Sequence, residues 1–145
     1  MRTRVLLIDA QTLLREGIKE VFRTDRSIAI VGEAGDGYDG VAQTSTLAPD
    51  VVVMDVALPG GDGIATIRAI RARCPSTQVV VLTDVDDGGV YCNAIAAGAA
   101  AYVLKTLSPA ELASTIHTVA GRGCAPLLPG VGAHVTPHAW PRSSS

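Results

Sequence analysis

Five short apolar runs alternate along this chain with stretches whose hydrophobic residues recur at helical spacing. Val5-Leu6-Leu7-Ile8, Ile28 to Val31, Val51 to Met54, Val79 to Leu82 and Tyr102 to Leu104 are continuous and mostly aliphatic. Such runs mark strands covered on both faces. After the first run, Leu14, Ile18, Val21 and Phe22 fall on a single face of a helix predicted over about Thr12 to Arg23. The glycines of Gly32-Glu33-Ala34-Gly35-Asp36-Gly37 predict a loop. A weaker helix follows over Tyr38 to Leu47, with Tyr38, Val41, Ala42 and Ser45 on one side and Pro49 as its stop. Ile64, Ile67 and Ile70 recur among arginines in an amphipathic helix that ends near Cys74-Pro75.

The helix predicted from Asp87 to Ala97 is poorly specified, because Gly88 and Gly89 in its first turn cost about 1 kcal/mol each relative to alanine. It is expected to be the most mobile of the helices, and Gly98 ends it as a left-handed cap. Ser108-Pro109-Ala110-Glu111 combines an N-cap, a proline at the first helical position and a capping-box glutamate. Leu112, Ile116 and Val119 mark the buried face of that last helix, which ends at Gly121-Arg122-Gly123.

Strand and helix in strict alternation imply an α/β fold with a parallel sheet between two helical layers. Right-handed crossovers favour a flavodoxin-like (βα)5 doubly wound sheet of strand order 2-1-3-4-5. Four of the apolar runs end in a chemically distinctive residue: Asp9, Asp55, Thr83 and Lys105. A lone Asp after a strand is more often a turn former than a functional group. Two acids, a hydroxyl and an ammonium at the carboxyl ends of parallel strands instead form a pocket at the rim where open α/β sheets bind ligands. The segment Pro59-Gly60-Gly61-Asp62-Gly63 turns the chain away and leaves Asp55 at that rim.

Composition narrows the picture. The 145 residues suit one domain, and 48% hydrophobic residues with only 3% aromatics imply an aliphatic core. A net charge of −2 without any Lys/Arg cluster predicts no DNA contact by the chain itself. Cys74, Cys92 and Cys124 are widely spaced and suggest neither a disulfide framework nor a zinc site. The first strand follows Arg4 directly, and no run of about 18 apolar residues occurs, so a cytoplasmic protein with no membrane contact is expected. From Cys124 onward prolines replace periodicity, which divides the chain into a domain over 1–122 and a Pro/Gly/Ser-rich linker or tail over 123–145. His134 and His138 flank Pro137 and do not share a helical face, and His117 reads as a surface residue. The Gly-rich segments lack the spacing of dinucleotide-binding and P-loop motifs.

Five segments in order carry a resemblance to a known family: Val5 to Asp9, Leu14-Arg15-Glu16-Gly17, Met54-Asp55 with Pro59-Gly60 and Asp62-Gly63, Val81-Leu82-Thr83, and Ala97-Gly98-Ala99 running to Lys105. Over about Val5 to Gly121 the chain resembles a response-regulator receiver domain of two-component systems. Arg15-Glu16-Gly17 and Val31-Gly32-Glu33-Ala34 resemble the subfamily that precedes a LuxR-type DNA-binding domain. The resemblance implies a regulatory phosphoacceptor rather than an enzyme in its own right. Asp55 would take a phosphoryl group from a sensor histidine kinase, Lys105 would neutralise it and Thr83 would bond one of its oxygens. Thr83 and Tyr102 would form the switch, and Asp9, Asp55 and the Ala57 carbonyl would hold magnesium. The surface of the fourth helix and fifth strand, or the first and fifth helices, would pair with a partner or a second copy. The DNA-binding domain would lie in a longer parent protein.

Two positions depart from the family pattern. Ala10 stands where a second acid is usual, which weakens magnesium binding because this hard ion favours carboxylates. Asp84 follows Thr83 where a small residue usually guards the pocket, as a gate or as a substitute ligand. The rival expectation is an atypical receiver working independently of phosphorylation, as a ligand-sensing or protein-interaction module. A flavodoxin-like enzyme is disfavoured because no phosphate-cradling loop follows the first strand.

Overall fold

A computed structural model describes residues 2–59 and 62–121 of the chain. The expected tail, with Cys124, His134 and His138, and the turn residues Gly60 and Gly61 lie outside the described residues. Five strands, β1 (Thr3–Ile8), β2 (Ile28–Ala34), β3 (Val51–Met54), β4 (Gln78–Thr83) and β5 (Ala101–Leu104), alternate with five helices. The helices are α1 (Thr12–Phe22), α2 (Gly37–Leu47), α3 (Gly63–Arg73), α4 (Gly88–Ala97) and α5 (Pro109–Gly121). All strand pairs are parallel, in the order β2-β1-β3-β4-β5, as the alternation predicts.

Side chains alternate across a strand, so each central strand feeds two cores. Val5, Leu7, Val51, Val53, Val80 and Leu82 pack with Leu112, Ile116 and Val119 of α5. Leu6, Ile8, Val52, Met54, Val79 and Val81 pack on the opposite side with Ile67, Ile70 and Tyr102. This is why the runs are continuous rather than alternating in hydrophobicity. The capping box of α5 forms as expected: Ser108 N–H donates to Glu111 Oε1 at 2.7 Å, and Glu111 N–H donates to Ser108 Oγ at 3.1 Å. Gly98 closes α4 in left-handed backbone at φ 117°.

Three local expectations need correction. Gly32, Glu33 and Ala34 belong to β2, not to a loop. A Cβ at Gly32 would lie 2.6 Å from Gln43 Oε1 and 2.8 Å from Leu47 Cδ1, so this glycine serves close packing of α2 on the sheet rather than a turn. The buried face of α2 is Gly37, Gly40 and Thr44, whereas Tyr38 points outward and is 81% exposed. Small residues let α2 approach the sheet too closely for a phenol to fit between. On α1 only Phe22 is fully buried, and Val21 remains 46% exposed.

Glu33 gains a role from its place in β2. Its carboxylate accepts from Arg15 Nε at 2.8 Å and pairs with Lys19, joining the edge strand to α1. Hydrogen bonds from Lys19 and then Arg15 hold its pKa below the ordinary 4.5. The resulting stabilisation is complete above pH 4.5 and is lost as pH falls through the lowered folded value. Glu33→Gln therefore destabilises the domain at neutral pH, and urea unfolding shows the gap to wild type closing on acidification. A gap that persists in acid would contradict this assignment.

Candidate functional site

The parallel ladder extends one residue beyond the strands, and this aligns the site. Asp9 N–H donates to Ala34 O at 2.9 Å, Asp55 N–H to Ile8 O at 3.0 Å, and Lys105 N–H to Thr83 O at 2.9 Å. Each tethered residue is held at the carboxyl rim, and because β1, β3, β4 and β5 are successive neighbours, Asp9, Asp55, Thr83 and Lys105 stand side by side. All four lie close together although nearly a hundred residues separate the first from the last.

Lys105 is the hub. Its Nζ lies 2.8 Å from Asp55 Oδ2 and 3.1 Å from Asp9 Oδ2, with all three side chains under one-tenth exposed. Burial disfavours the ammonium, but the hydrogen bonds it donates to Asp55 and Asp9 outweigh it and leave the Lys105 pKa raised. Asp55 Oδ1 accepts from the Thr83 hydroxyl at 2.6 Å and from Ala57 N–H at 2.9 Å. Asp9 Oδ1 accepts from Gln11 N–H at 2.8 Å. Each oxygen of the two carboxylates thus has a donor.

A chain of contacts leads from Asp55 into the core. The Thr83 hydroxyl also accepts from Val85 N–H at 3.3 Å, and the Tyr102 hydroxyl donates to Val85 O at 2.7 Å. Tyr102 is completely buried and meets Tyr91 of α4 edge to face, with centroids 5.6 Å apart. Burial, and then the charges of Asp55, Asp87 and Asp86, push its phenol pKa upward, so it remains a neutral donor. Asp84 is exposed and stands outside the hydrogen-bonded cluster.

For a metal, the cluster offers two carboxylates and the neighbouring Ala57 backbone. Among the described residues no group of three or more acidic, histidine or cysteine side chains is placed to hold an ion. Magnesium commonly keeps several waters and uses only one or two carboxylates. Asp9 and Asp55 meet that lower requirement, and Ala10 adds nothing to it.

Sequence reasoning missed two contributors. Gln11 accepts from Lys105 Nζ at 2.8 Å through its side-chain oxygen. Arg15 donates to the backbone carbonyl of Asp9 while held by Glu33, so the β2 edge braces the acidic end of β1. The polar strand-to-helix turn after Asp9 signals the first. Nothing signals the second until Glu33 is placed in a strand. His117 is exposed, as expected, and hydrogen-bonds Ser27 at 3.0 Å.

Residues 5–117 match the family profile of the response regulator receiver domain. This chain belongs to that family. Among curated relatives, an uncharacterized transcriptional regulatory protein YxjL of Bacillus subtilis is 39% identical over 119 residues, covering 82% of this chain and 55% of the relative. The transcriptional regulatory protein LiaR of the same species is 40% identical over 115 residues, covering 79% and 54%. The chain spans about half the length of the curated relatives it matches. A solved receiver domain of the putative response regulator NarL from Mycobacterium tuberculosis superposes with a TM-score of 0.78 at 30% identity, covering 83% of this chain and 97% of that one. A LuxR-family two-component response regulator from Aurantimonas sp. SI85-9A1 superposes at 0.80 and 29%, covering 92% and 94%. The receiver fold and the likeness to LuxR-type regulators thus agree with the sequence reading. Among the described residues no helix is long and apolar enough to cross a membrane.

Proposed function

We propose that Asp55 accepts a phosphoryl group from a sensor histidine kinase and that the domain thereby controls transcription through a DNA-binding domain in a longer parent protein. The observation that supports this most is the contact of the Asp55 carboxylate with both Lys105 and Thr83 at the sheet rim. A carboxylate oxygen attacks phosphorus, the bond from phosphorus to the donor's nitrogen or oxygen breaks, and an acyl phosphate forms. Transfer of this kind depends on positioning and on neutralising charge on the phosphoryl oxygens. Lys105 supplies a positive charge that passes from the carboxylates to the phosphoryl oxygens, and Thr83 supplies a hydroxyl that turns from Asp55 to the new group. Magnesium, when bound to Asp9, Asp55 and the Ala57 carbonyl, adds further neutralisation.

Release of Thr83 from Asp55 alters its tie to Val85, which also holds Tyr102, and so reaches the surface of α4 and β5. Asp84, exposed at the mouth, filters approaching anionic donors. The receiver unit is read as 1–122, with 123–145 as a linker or tail, in a cytoplasmic protein. The phosphorylation-independent alternative draws no support from the comparisons. The decisive test is intact-mass analysis of the purified chain after incubation with a small phosphodonor, with and without magnesium. Gain of one phosphoryl group at Asp55 is expected, and no gain at any magnesium concentration refutes the proposal.

For a second copy of the chain, the docking face we propose is the apolar groove between α1 and α5. The groove, of about 270 Å³, is lined by Ile18, Phe22, Leu107, Pro109, Leu112 and Lys105. Leu13 stands on its rim at 88% exposure, a knob at the edge of a hole. Such a self-complementary patch suits a two-fold pair in which each Leu13 enters the partner's groove. Leu13→Glu is expected to shift sedimentation of the phosphorylated chain from dimer to monomer. Identical sedimentation of the two proteins would exclude this face.

A further inference from the structure

Helix α1 begins without a side-chain cap. Gln11 occupies the N-cap in extended backbone, at φ −83° and ψ 103°, and makes no capping hydrogen bond. Ser, Thr, Asp and Asn are preferred there because their short side chains reach the unpaired N–H groups of the first turn. Gln11 directs its side chain elsewhere, and its amide oxygen accepts from Lys105 Nζ at 2.8 Å. An ammonium has three donors and no acceptor capacity. Those of Lys105 meet three oxygens, from Asp55 and Gln11 at 2.8 Å each and from Asp9 at 3.1 Å.

The Gln11 backbone adds to this arrangement by donating to Asp9 Oδ1 at 2.8 Å. One residue therefore orients both an acid and the cation between the acids. Ala10 brings no carboxylate of its own, so the cluster holds two negative charges against one positive. A neutral amide holds the ammonium without adding a negative charge that would draw in a divalent cation.

Resting on the phosphoacceptor reading of this site, we propose that Gln11 is a positioning residue that holds Lys105 as the internal counter-cation of the Asp9–Asp55 pair. Magnesium then binds only by displacing the ammonium from the same carboxylate oxygens. Magnesium dehydrates reluctantly and favours carboxylate oxygens; Lys105 occupies Oδ2 of both acids, and their Oδ1 atoms already accept from Gln11 N–H, the Thr83 hydroxyl and Ala57 N–H. With no third acid to serve as a separate foothold, the ion competes with Lys105 directly. Gln11 thus sets the magnesium threshold above which the domain becomes chargeable.

The test uses the full chain with Gln11→Met, of similar length but lacking a strong acceptor, and Gln11→Glu, which keeps one. An ammonium with three fixed acceptors exchanges its protons slowly and gives a Lys105 Nζ–H correlation in ¹⁵N NMR. That correlation is expected in wild type and Gln11→Glu and absent in Gln11→Met. In Gln11→Met the magnesium dissociation constant, followed by the amide shift of Ala57, is expected to fall about tenfold, the low end of the scale for one hydrogen bond to a charged group. A correlation that survives in Gln11→Met, or a magnesium constant that stays the same or rises, overturns the proposal. Both readouts are independent of phosphoryl transfer, so failure of Asp55 to be phosphorylated is distinguishable from failure of Gln11 to hold Lys105. Gln11 is exposed, and thermal unfolding confirms that each variant is folded.

Discussion

Asp55→Asn abolishes phosphoryl uptake while leaving the domain folded. The amide keeps the shape of the carboxylate, and its oxygen still accepts from Thr83 and Ala57 N–H, the partners of Asp55 Oδ1. It lacks the nucleophilic oxygen needed to form an acyl phosphate. Its NH₂ group would also face the Lys105 ammonium, donor against donor, where Asp55 Oδ2 now accepts at 2.8 Å. Lys105 retains Asp9 and Gln11, so it is not stranded without a partner. Loss of the ion pair is offset by relief of repulsion between two carboxylates that share one cation. The stability change is therefore expected to stay within about 1 kcal/mol, the scale of a single net hydrogen bond. Intact mass after incubation with a phosphodonor reads the first effect, and urea unfolding reads the second. Retained phosphorylation in the variant would place the acceptor elsewhere.

Gly63→Ala is expected to be the most destabilising single-methyl addition at the site. Gly63 opens α3, immediately after the turn that follows Asp55. A Cβ built there would lie 2.2 Å from the Val56 carbonyl oxygen and 2.5 Å from Val56 Cα. Both are backbone atoms, so no rotamer change makes room. Either α3 or the segment after Asp55 has to move, and that segment carries the Ala57 N–H bonded to the acceptor carboxylate. Overpacking of this kind costs about 3 kcal/mol. The measurement is a denaturant midpoint, together with the amide shift of Ala57. A midpoint equal to wild type would show that the turn yields at little cost. By contrast, Gly17→Ala meets no atom within 4 Å and serves as the control.

Much of the fold was legible in the order of residues. Strand periodicity and the helical faces depend on local spacing, and β3, written Val51 to Met54, ends where the apolar run ends. Capping signals are equally local, as Ser108 and Glu111 show. The departures of the structure from local pattern share a cause. Gly32 carries a turn signal because glycine allows many backbone conformations, but its purpose is visible only once Gln43 and Leu47 are packed against it. Helical spacing groups Tyr38 with Val41, Ala42 and Ser45, whereas the small residues Gly37, Gly40 and Thr44 govern how closely α2 lies on the sheet.

The same division runs through the site. The sequence alone determined the alternation of elements, hence the parallel sheet, and the residues that end its strands: Asp9, Asp55, Thr83 and Lys105. It also showed the missing acid at Ala10. Only tertiary structure decided how these groups share hydrogen bonds, because that depends on distances between strands far apart in sequence. It placed Lys105 between two acids, spent the α1 N-cap side chain on that lysine, and drew Arg15 and Glu33 into support of Asp9. Apolar patterns are repeated at regular intervals along a chain and can be read from it. Polar partnerships are single events between distant residues, and folding is what brings the partners together.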